Sequence, residues 1–424
     1  MNKTKEIFIT GFALFALFFG AGNLILPPFL GLNAGEDWAL VTIGFVITAV
    51  AIPLLALFVH AKLQGTMLDF GNKFSPKFSL FYCFAIYLVA VTLPAPRTAS
   101  VTHEMAVLPF FETSSLVTSF IYFILVLLFV WNRSQIIDWI GKFITPLIVV
   151  ILLLIISIVL FSPEVSLAMA TKTTPFVEGL LEGYQTFDAI GAVLVGGVII
   201  ISLNNKVNLS YAERKIFIVK VSLVAALGLV LIYAGLILTG ALLHGSFDEN
   251  VTRTQLLSRM GYITLGGLGN ALLSVLISLA CFTTAVGIVT GTSDFIKGLY
   301  KGSDNAYKAT AIVCCFTGVF IGQLDVNYIL LVAKPVLFLI YPVTIVMIFL
   351  HLLPQTWVSV RVFRAVIITT LLFSIPDVIG SFEWTFLQPV QELLPLGKYN
   401  MGWLLPAFLV FLLGNLLERK KRPV

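Results

Sequence analysis

The sequence predicts an all-α polytopic membrane protein: twelve transmembrane helices arranged as a five-plus-five inverted repeat with broken helices one and six, followed by two C-terminal helices. Three observations carry that expectation. The chain of 424 residues is 59% hydrophobic and only 11% charged, with mean hydropathy +1.02, which leaves too little polar surface for a soluble domain. Its apolar residues fall into runs long enough to cross a hydrocarbon core, which takes about 17–25 helical residues. Two of those runs, the first in each block of five, are interrupted in the middle by residues that break helices.

The runs lie near 7–31, 38–60, 78–102, 116–132, 137–161, 176–203, 216–243, 268–296, 307–322, 326–352, 362–380 and 400–417. They form one membrane domain over 1–424, with a first repeat at 7–161, a second at 176–352 and the extra pair at 362–417. Connections are short, and nothing resembles a phosphate-binding loop. The first run carries Gly20-Ala21-Gly22-Asn23 and then Pro27-Pro28. In lipid every backbone N–H and C=O needs a partner, so an unwound stretch persists only where protein, ligand or ion supplies one. A kinked structural helix is the plain alternative, since Gly and Pro are common in membrane spans. The sixth run carries Gly183-Tyr184-Gln185-Thr186-Phe187-Asp188-Ala189-Ile190-Gly191 at the corresponding place. Paired discontinuous helices point to a transporter with its site at the midplane, where half-helix N-termini hold anions and freed carbonyls hold cations.

The net charge of +5 does not indicate nucleic acid, because the bases fall in alternate loops. Lys3, Lys5, Lys62, Lys73, Lys77, Lys206, Arg214, Lys297, Lys301, Arg361, Arg364 and the Arg419–Arg422 cluster lie on one side, while Glu36, Asp37, Glu112, Asp248, Glu383 and Glu392 mark the other. Both termini are therefore expected in the cytoplasm. The basic start and first run read as a retained span, too long for a signal peptide. Cys83, Cys281, Cys314 and Cys315 sit in apolar spans without metal spacing, and His103-Glu104 lacks the second histidine of a zinc motif, Val107 standing there. No resident cofactor and no obligate protein partner is expected.

Several polar residues fall at membrane depth. Asp188 is costly there, which makes function the first reading and a satisfied structural pair the second. Thr283 and Thr284 follow Ala280 by one turn; a hydroxyl pair suits a hard cation, although threonines in membrane helices also bond their own carbonyls one turn back. Lys334, before Pro335, reads either as part of a gate or proton path or as a lysine reaching freed carbonyls or the interface. Arg97 and Glu104, toward the outer end of the third span, read as a gate or an interfacial pair.

At these residues the chain resembles the amino acid–polyamine–organocation superfamily with the leucine-transporter fold. In its sodium-coupled members one ion site takes two carbonyls of span one and a carbonyl with two hydroxyls of span eight, which implies Ala16, Phe19, Ala280, Thr283 and Thr284 here. More narrowly, GFALFALFFGAGNLILPP (Gly11–Pro28), PAPRTASVTHE (Pro94–Glu104) and GYQTFDAIGA (Gly183–Ala192) resemble the bacterial branched-chain amino acid:cation symporters, also called branched-chain amino acid transport system II carriers. That resemblance implies import of leucine, isoleucine and valine across the bacterial cell membrane, with Na+ as the expected coupling ion and a proton, carried by Asp188 or Lys334, as the alternative. The N–H groups near Ala21, Gly22 and Asn23 would face the substrate carboxylate. The carbonyl of Phe18 and those around Phe187 and Asp188 would accept from its ammonium, or Asp188 would do so through its side chain instead, with Gly191 beside them and Ile288 and Phe187 lining an apolar pocket. For the aromatic of the third span, Tyr82 and Tyr87 both remain open. A channel or membrane-embedded enzyme is the reading from another class; clustered intramembrane Ser and His or paired acids would mark an enzyme, and none is found.

Overall fold

The computed structural model describes residues 3–20, 22–64, 66–132, 136–162, 167, 174–194, 196, 211–244, 247 and 250–419. Every regular element among the described residues is helical. Seven helical stretches are long and apolar enough to cross a membrane: Gly22–Leu63, Pro76–Val107, Ile216–Leu242, Arg253–Leu299, Asp304–Gly322, Val326–Leu352 and Val360–Gly380; Ser115–Trp131, Pro146–Leu160 and Leu404–Glu418 are shorter apolar helices. The chain is an integral membrane protein. Helices dominate because hydrocarbon offers backbone groups no partner outside the segment itself.

The chain forms two compact units, each assembled from three stretches: Met1–Val50, Tyr87–Thr186 and Lys220–Leu331 in the first, Ala51–Ile86, Phe187–Val219 and Val332–Val424 in the second. In the first unit α1 (Lys3–Phe18) and α2 (Gly22–Ala34) are separate helices. Pro27 and Pro28, read from the sequence as part of the interruption, lie inside α2. They withdraw the bonds to the carbonyls of Asn23 and Leu24 and crowd those carbonyls with their rings, yet α2 runs through them, and the interruption falls between Phe18 and Gly22. After α3 (Trp38–Val46) a π-turn covers Ile47–Ala51. In chain order follow α4 (Ile52–Leu63), α5 (Leu68–Asn72) and the larger part of α6 (Pro76–Thr92), which belong to the second unit, and then, in the first, α7 (Pro94–Thr102), a second π-turn (His103–Val107), α8 (Ser115–Asn132), α9 (Ile136–Leu160) and α10 (Pro175–Tyr184).

Helices α3 and α10 pack backbone to backbone. A Cβ on Gly179 would meet Val41 O and lie 2.9 Å from Phe45 N, and one on Gly44 would meet Phe176 O. Thr48 Oγ1 donates to Leu180 O across the same contact at 2.9 Å. Gly179 and Gly183, four apart, are the small-residue spacing that lets membrane helices approach without a hydrophobic driving force.

The first unit continues with α12 (Tyr211–Leu242), α13 (Arg253–Leu299) and α14 (Asp304–Gly322), and with the start of α15 (Val326–Leu352). Helix α13 opens on a capping box between Thr252 and Gln255 and is interrupted at Gly266, where φ is 69° and ψ −174°. The part before Gly266 has no counterpart among the sequence-predicted spans, being too short to cross a bilayer. Behind Gly266, α13 packs on α8 and α14 through Tyr122, Phe123, Phe282, Val286, Tyr307 and Cys314. The Tyr122 and Phe129 rings meet Phe282 edge-on at 5.8 and 5.1 Å.

In the second unit a short helix over 188–194, α11, follows the irregular residues 185–187. Lys62 donates to the carbonyls of His351, Leu352 and Leu353 at 2.7, 3.3 and 3.0 Å, neutralising the free carbonyls at the end of α15. The His351 ring lies 2.8 Å from Phe70 O, and α16 (Val360–Gly380) packs on α18 (Leu404–Arg419), with α17 (Gln388–Leu393) beside α16.

Candidate functional site

The hydrogen-bond ladder of α1 runs regularly to Phe19, whose N–H donates to Phe15 O at 2.9 Å, and then changes partners. Gly20 N–H donates to Phe18 O at 3.0 Å rather than back to Ala16 O, and Asn23 N–H donates to Gly20 O at 3.1 Å rather than to Phe19 O. The carbonyls of Ala16 and Phe19 therefore lose the donors that a continuous helix would bring them. Asn23, 2% exposed, holds the break: its Nδ2 donates to Phe18 O at 2.7 Å and to Tyr233 Oη at 2.5 Å. Tyr233 lies between Phe19, stacked at 6.5 Å, and Phe45, edge-on at 5.3 Å. Phe18 O thus already accepts two hydrogen bonds, and a substrate ammonium would have to displace one. Ala21 lies outside the described residues.

Across from this break stands α13. Thr283 Oγ1 and Thr284 Oγ1 both donate to Ala280 O, at 2.9 and 3.0 Å, so each hydroxyl hydrogen points back along the helix and each oxygen keeps its lone pairs. A Cβ on Gly20 would lie 3.5 Å from Thr284 Oγ1, which places that hydroxyl against the break. Ile288, one turn on, is partly buried against the cluster containing Tyr122, Phe282 and Val289.

Arg97 is buried within the first unit. It is 3% exposed, in the first turn of α7, and its Nη1 donates to Gln185 O at 2.7 Å, immediately after the end of α10. The guanidinium lies over the first residue of α2: a Cβ on Gly22 would run into Nη2 and stand 2.6 Å from Cζ. Gln185, 4% exposed, donates through Nε2 to Leu330 O at 3.2 Å, while its buried Oε1 has no hydrogen-bond partner among the described residues. Glu104 is engaged elsewhere, its Oε1 accepting Val326 N–H at 2.8 Å and its Oε2 accepting the Thr254 hydroxyl. Beside it Arg253 pairs with Glu182 at 2.9 Å, bonds Asn327 Oδ1 at 3.0 Å and covers the Phe29 ring at 4.4 Å. The expected Arg97–Glu104 pairing is therefore replaced by two separate networks.

In the second unit Phe187 takes a left-handed conformation, φ 63°, and accepts Gly191 N–H at 2.8 Å, closing the first turn of α11. Asp188, 7% exposed, is the first residue of that helix, where the dipole favours a carboxylate. A Cβ on Gly191 would enter open space. Lys334 is exposed on α15, so the buried ammonium that motivated a proton-path reading is not found. Tyr82 bonds Thr344 Oγ1 at 2.7 Å, whereas Tyr87, in the first unit, stacks on Phe295 at 4.4 Å.

Residues 3–421 match the family described as branched-chain amino acid transport protein. The chain belongs to this family. Among the relatives of this carrier are the branched-chain amino acid transport system 2 carrier protein of Pseudomonas aeruginosa, 34% identical over 429 residues covering 98% of this chain and 97% of the relative, and the branched-chain amino acid permease BraB of Bacillus subtilis, 32% identical with 97% and 95% covered. These relatives are named as carriers and permeases, which are not enzymes. Similar solved structures include a Na+-coupled sialic acid symporter in a substrate-bound outward-open state, with TM-score 0.62, 13% identity and 97% and 90% coverage. Another is Mhp1, a nucleobase-cation-symport-1 family transporter in a closed conformation, with TM-score 0.61, 14% identity and 97% and 92% coverage. At such identities the likeness establishes a shared fold.

Proposed function

We propose that this family member is a secondary active symporter of the bacterial cell membrane that imports leucine, isoleucine and valine with Na+ by alternating access. Its relatives' names supply the substrate class, and the Na+-coupled symporter that shares its fold supports the choice of ion. The observation that carries the reading is the change of partners at Gly20 and Asn23. It withdraws the helical donors from the carbonyls of Ala16 and Phe19, next in the chain to Gly20, against which the Thr284 hydroxyl lies; neutral oxygens of this kind suit a hard monovalent cation. The α2 N-terminus, starting at Gly22, supplies N–H groups for a carboxylate on the other side of the same break. The reading keeps twelve spans, the inverted repeat and cytoplasmic termini.

Counterflow of labelled leucine in proteoliposomes, with and without Na+ at fixed pH, tests it. Leucine exchange accelerated by Na+ is expected. Exchange that follows the proton gradient and ignores Na+ would move the coupling role to a titratable group such as Asp188, and no leucine exchange under any ion would remove the carrier reading.

A further inference from the structure

We infer that Arg97 and Gln185 are substrate-binding residues: the Arg97 guanidinium, together with the first N–H groups of α2, holds the α-carboxylate of the amino acid, and Gln185 Oε1 accepts from its α-ammonium. The inference rests on the carrier reading above and names the side chains that would read the zwitterion. The guanidinium is buried and lies against the Cα of Gly22, the residue that opens α2. An anion held by the free N–H groups of that turn is within reach of the same fork of donors, which matches a carboxylate in plane. Arg97 is fixed from the other side by its 2.7 Å bond to Gln185 O, so the ends of α2 and α10 are joined through one cation.

Gln185 supplies a second, independent observation. Its amide is anchored through Nε2 on Leu330 O, yet its buried Oε1 finds no donor among the described residues. An unsatisfied buried acceptor is costly, and an N–H donor brought by a ligand would remove that cost. The guanidinium, bonded to the main-chain carbonyl of Gln185, and the orphan Oε1 of the same residue complement the two charged groups of an α-amino acid. Neither a carboxylic acid nor an amine alone would satisfy both.

The test compares leucine with leucinamide, which lacks the carboxylate charge, and with 4-methylpentanoate, which lacks the ammonium, by calorimetric titration of the full-length protein in detergent. In Arg97→Gln leucine affinity is expected to fall by about 100-fold, while leucinamide, which offers the guanidinium no carboxylate, keeps its wild-type affinity. Arg97→Lys should be intermediate for leucine, and it keeps the test valid if the glutamine variant does not purify as a monodisperse species. In Gln185→Met leucine should weaken by about tenfold and 4-methylpentanoate should be unchanged. The inference is overturned if Arg97→Gln and Arg97→Lys keep leucine affinity within threefold of wild type, or if both lose leucinamide binding in parallel with leucine. Failure of the wild-type protein to bind leucine at all would instead strike the carrier reading.

Discussion

At residue 22 a Cβ would run into the Arg97 guanidinium, which would have to move from its place over the start of α2. Gly22→Val should therefore abolish leucine binding measured on folded protein, and Gly22→Ala should weaken it, with overpacking of about 1–3 kcal/mol; unchanged affinity in the valine variant would contradict the pose. At the ion side, Thr284→Ala should raise the Na+ concentration for half-maximal leucine uptake more than Thr283→Ala, because Thr284 Oγ1 is the hydroxyl placed against Gly20. Equal shifts would show that proximity to the break does not matter. Asp188→Asn should leave a monodisperse protein that loses concentrative uptake, since an ionisable residue at membrane depth beside a helix break reads first as functional; wild-type uptake would return it to a structural part. The glycines and Asp188 were legible as anomalies in apolar runs. Tyr233 was not, because an aromatic in an apolar helix carries no mark, and its bond to Asn23 crosses 210 positions of chain.

At the scale of elements, the contact between α3 and α10 depends on carbonyls and amides meeting where Gly44, Gly179 and Gly183 leave room. Gly179→Leu should force these helices apart and lower the midpoint of thermal unfolding in detergent markedly more than Gly287→Leu, whose Cβ direction is open; similar losses for the two would remove the packing account. The Gly179–Gly183 spacing stood in the sequence, but the partner helix did not, since small residues mark a close approach without naming what approaches. The short helix that starts at Arg253 was missed by hydropathy because it is not a span. Its signal was local: Thr252 with Gln255 three residues on, a capping box that the structure forms.

For the molecule as a whole, alternate loops of opposite charge predict that Lys77 faces the cytoplasm and Glu112 the exterior. Both residues are exposed, and the four native cysteines are buried. Glu112→Cys should be labelled by a membrane-impermeant maleimide on intact cells, and Lys77→Cys only after the membrane is opened, against a low native background. Labelling of both from the same side would refute the proposed topology.

The sequence by itself determined that the chain is a helical membrane protein and where its first and sixth helices give way, because lipid forces each segment to satisfy its own backbone and makes every exception visible along one dimension. Its motifs also carried the family. What only the tertiary structure decided is which side chains meet at those exceptions: Arg97 over Gly22 and on Gln185, Asn23 on Tyr233, Glu104 on Thr254 and Val326. A helix with lipid on one face and apolar protein on the other has little contrast between its faces. The direction of Arg97 therefore could not be read from its position in span three, and becomes known only when the neighbouring helix ends are in place.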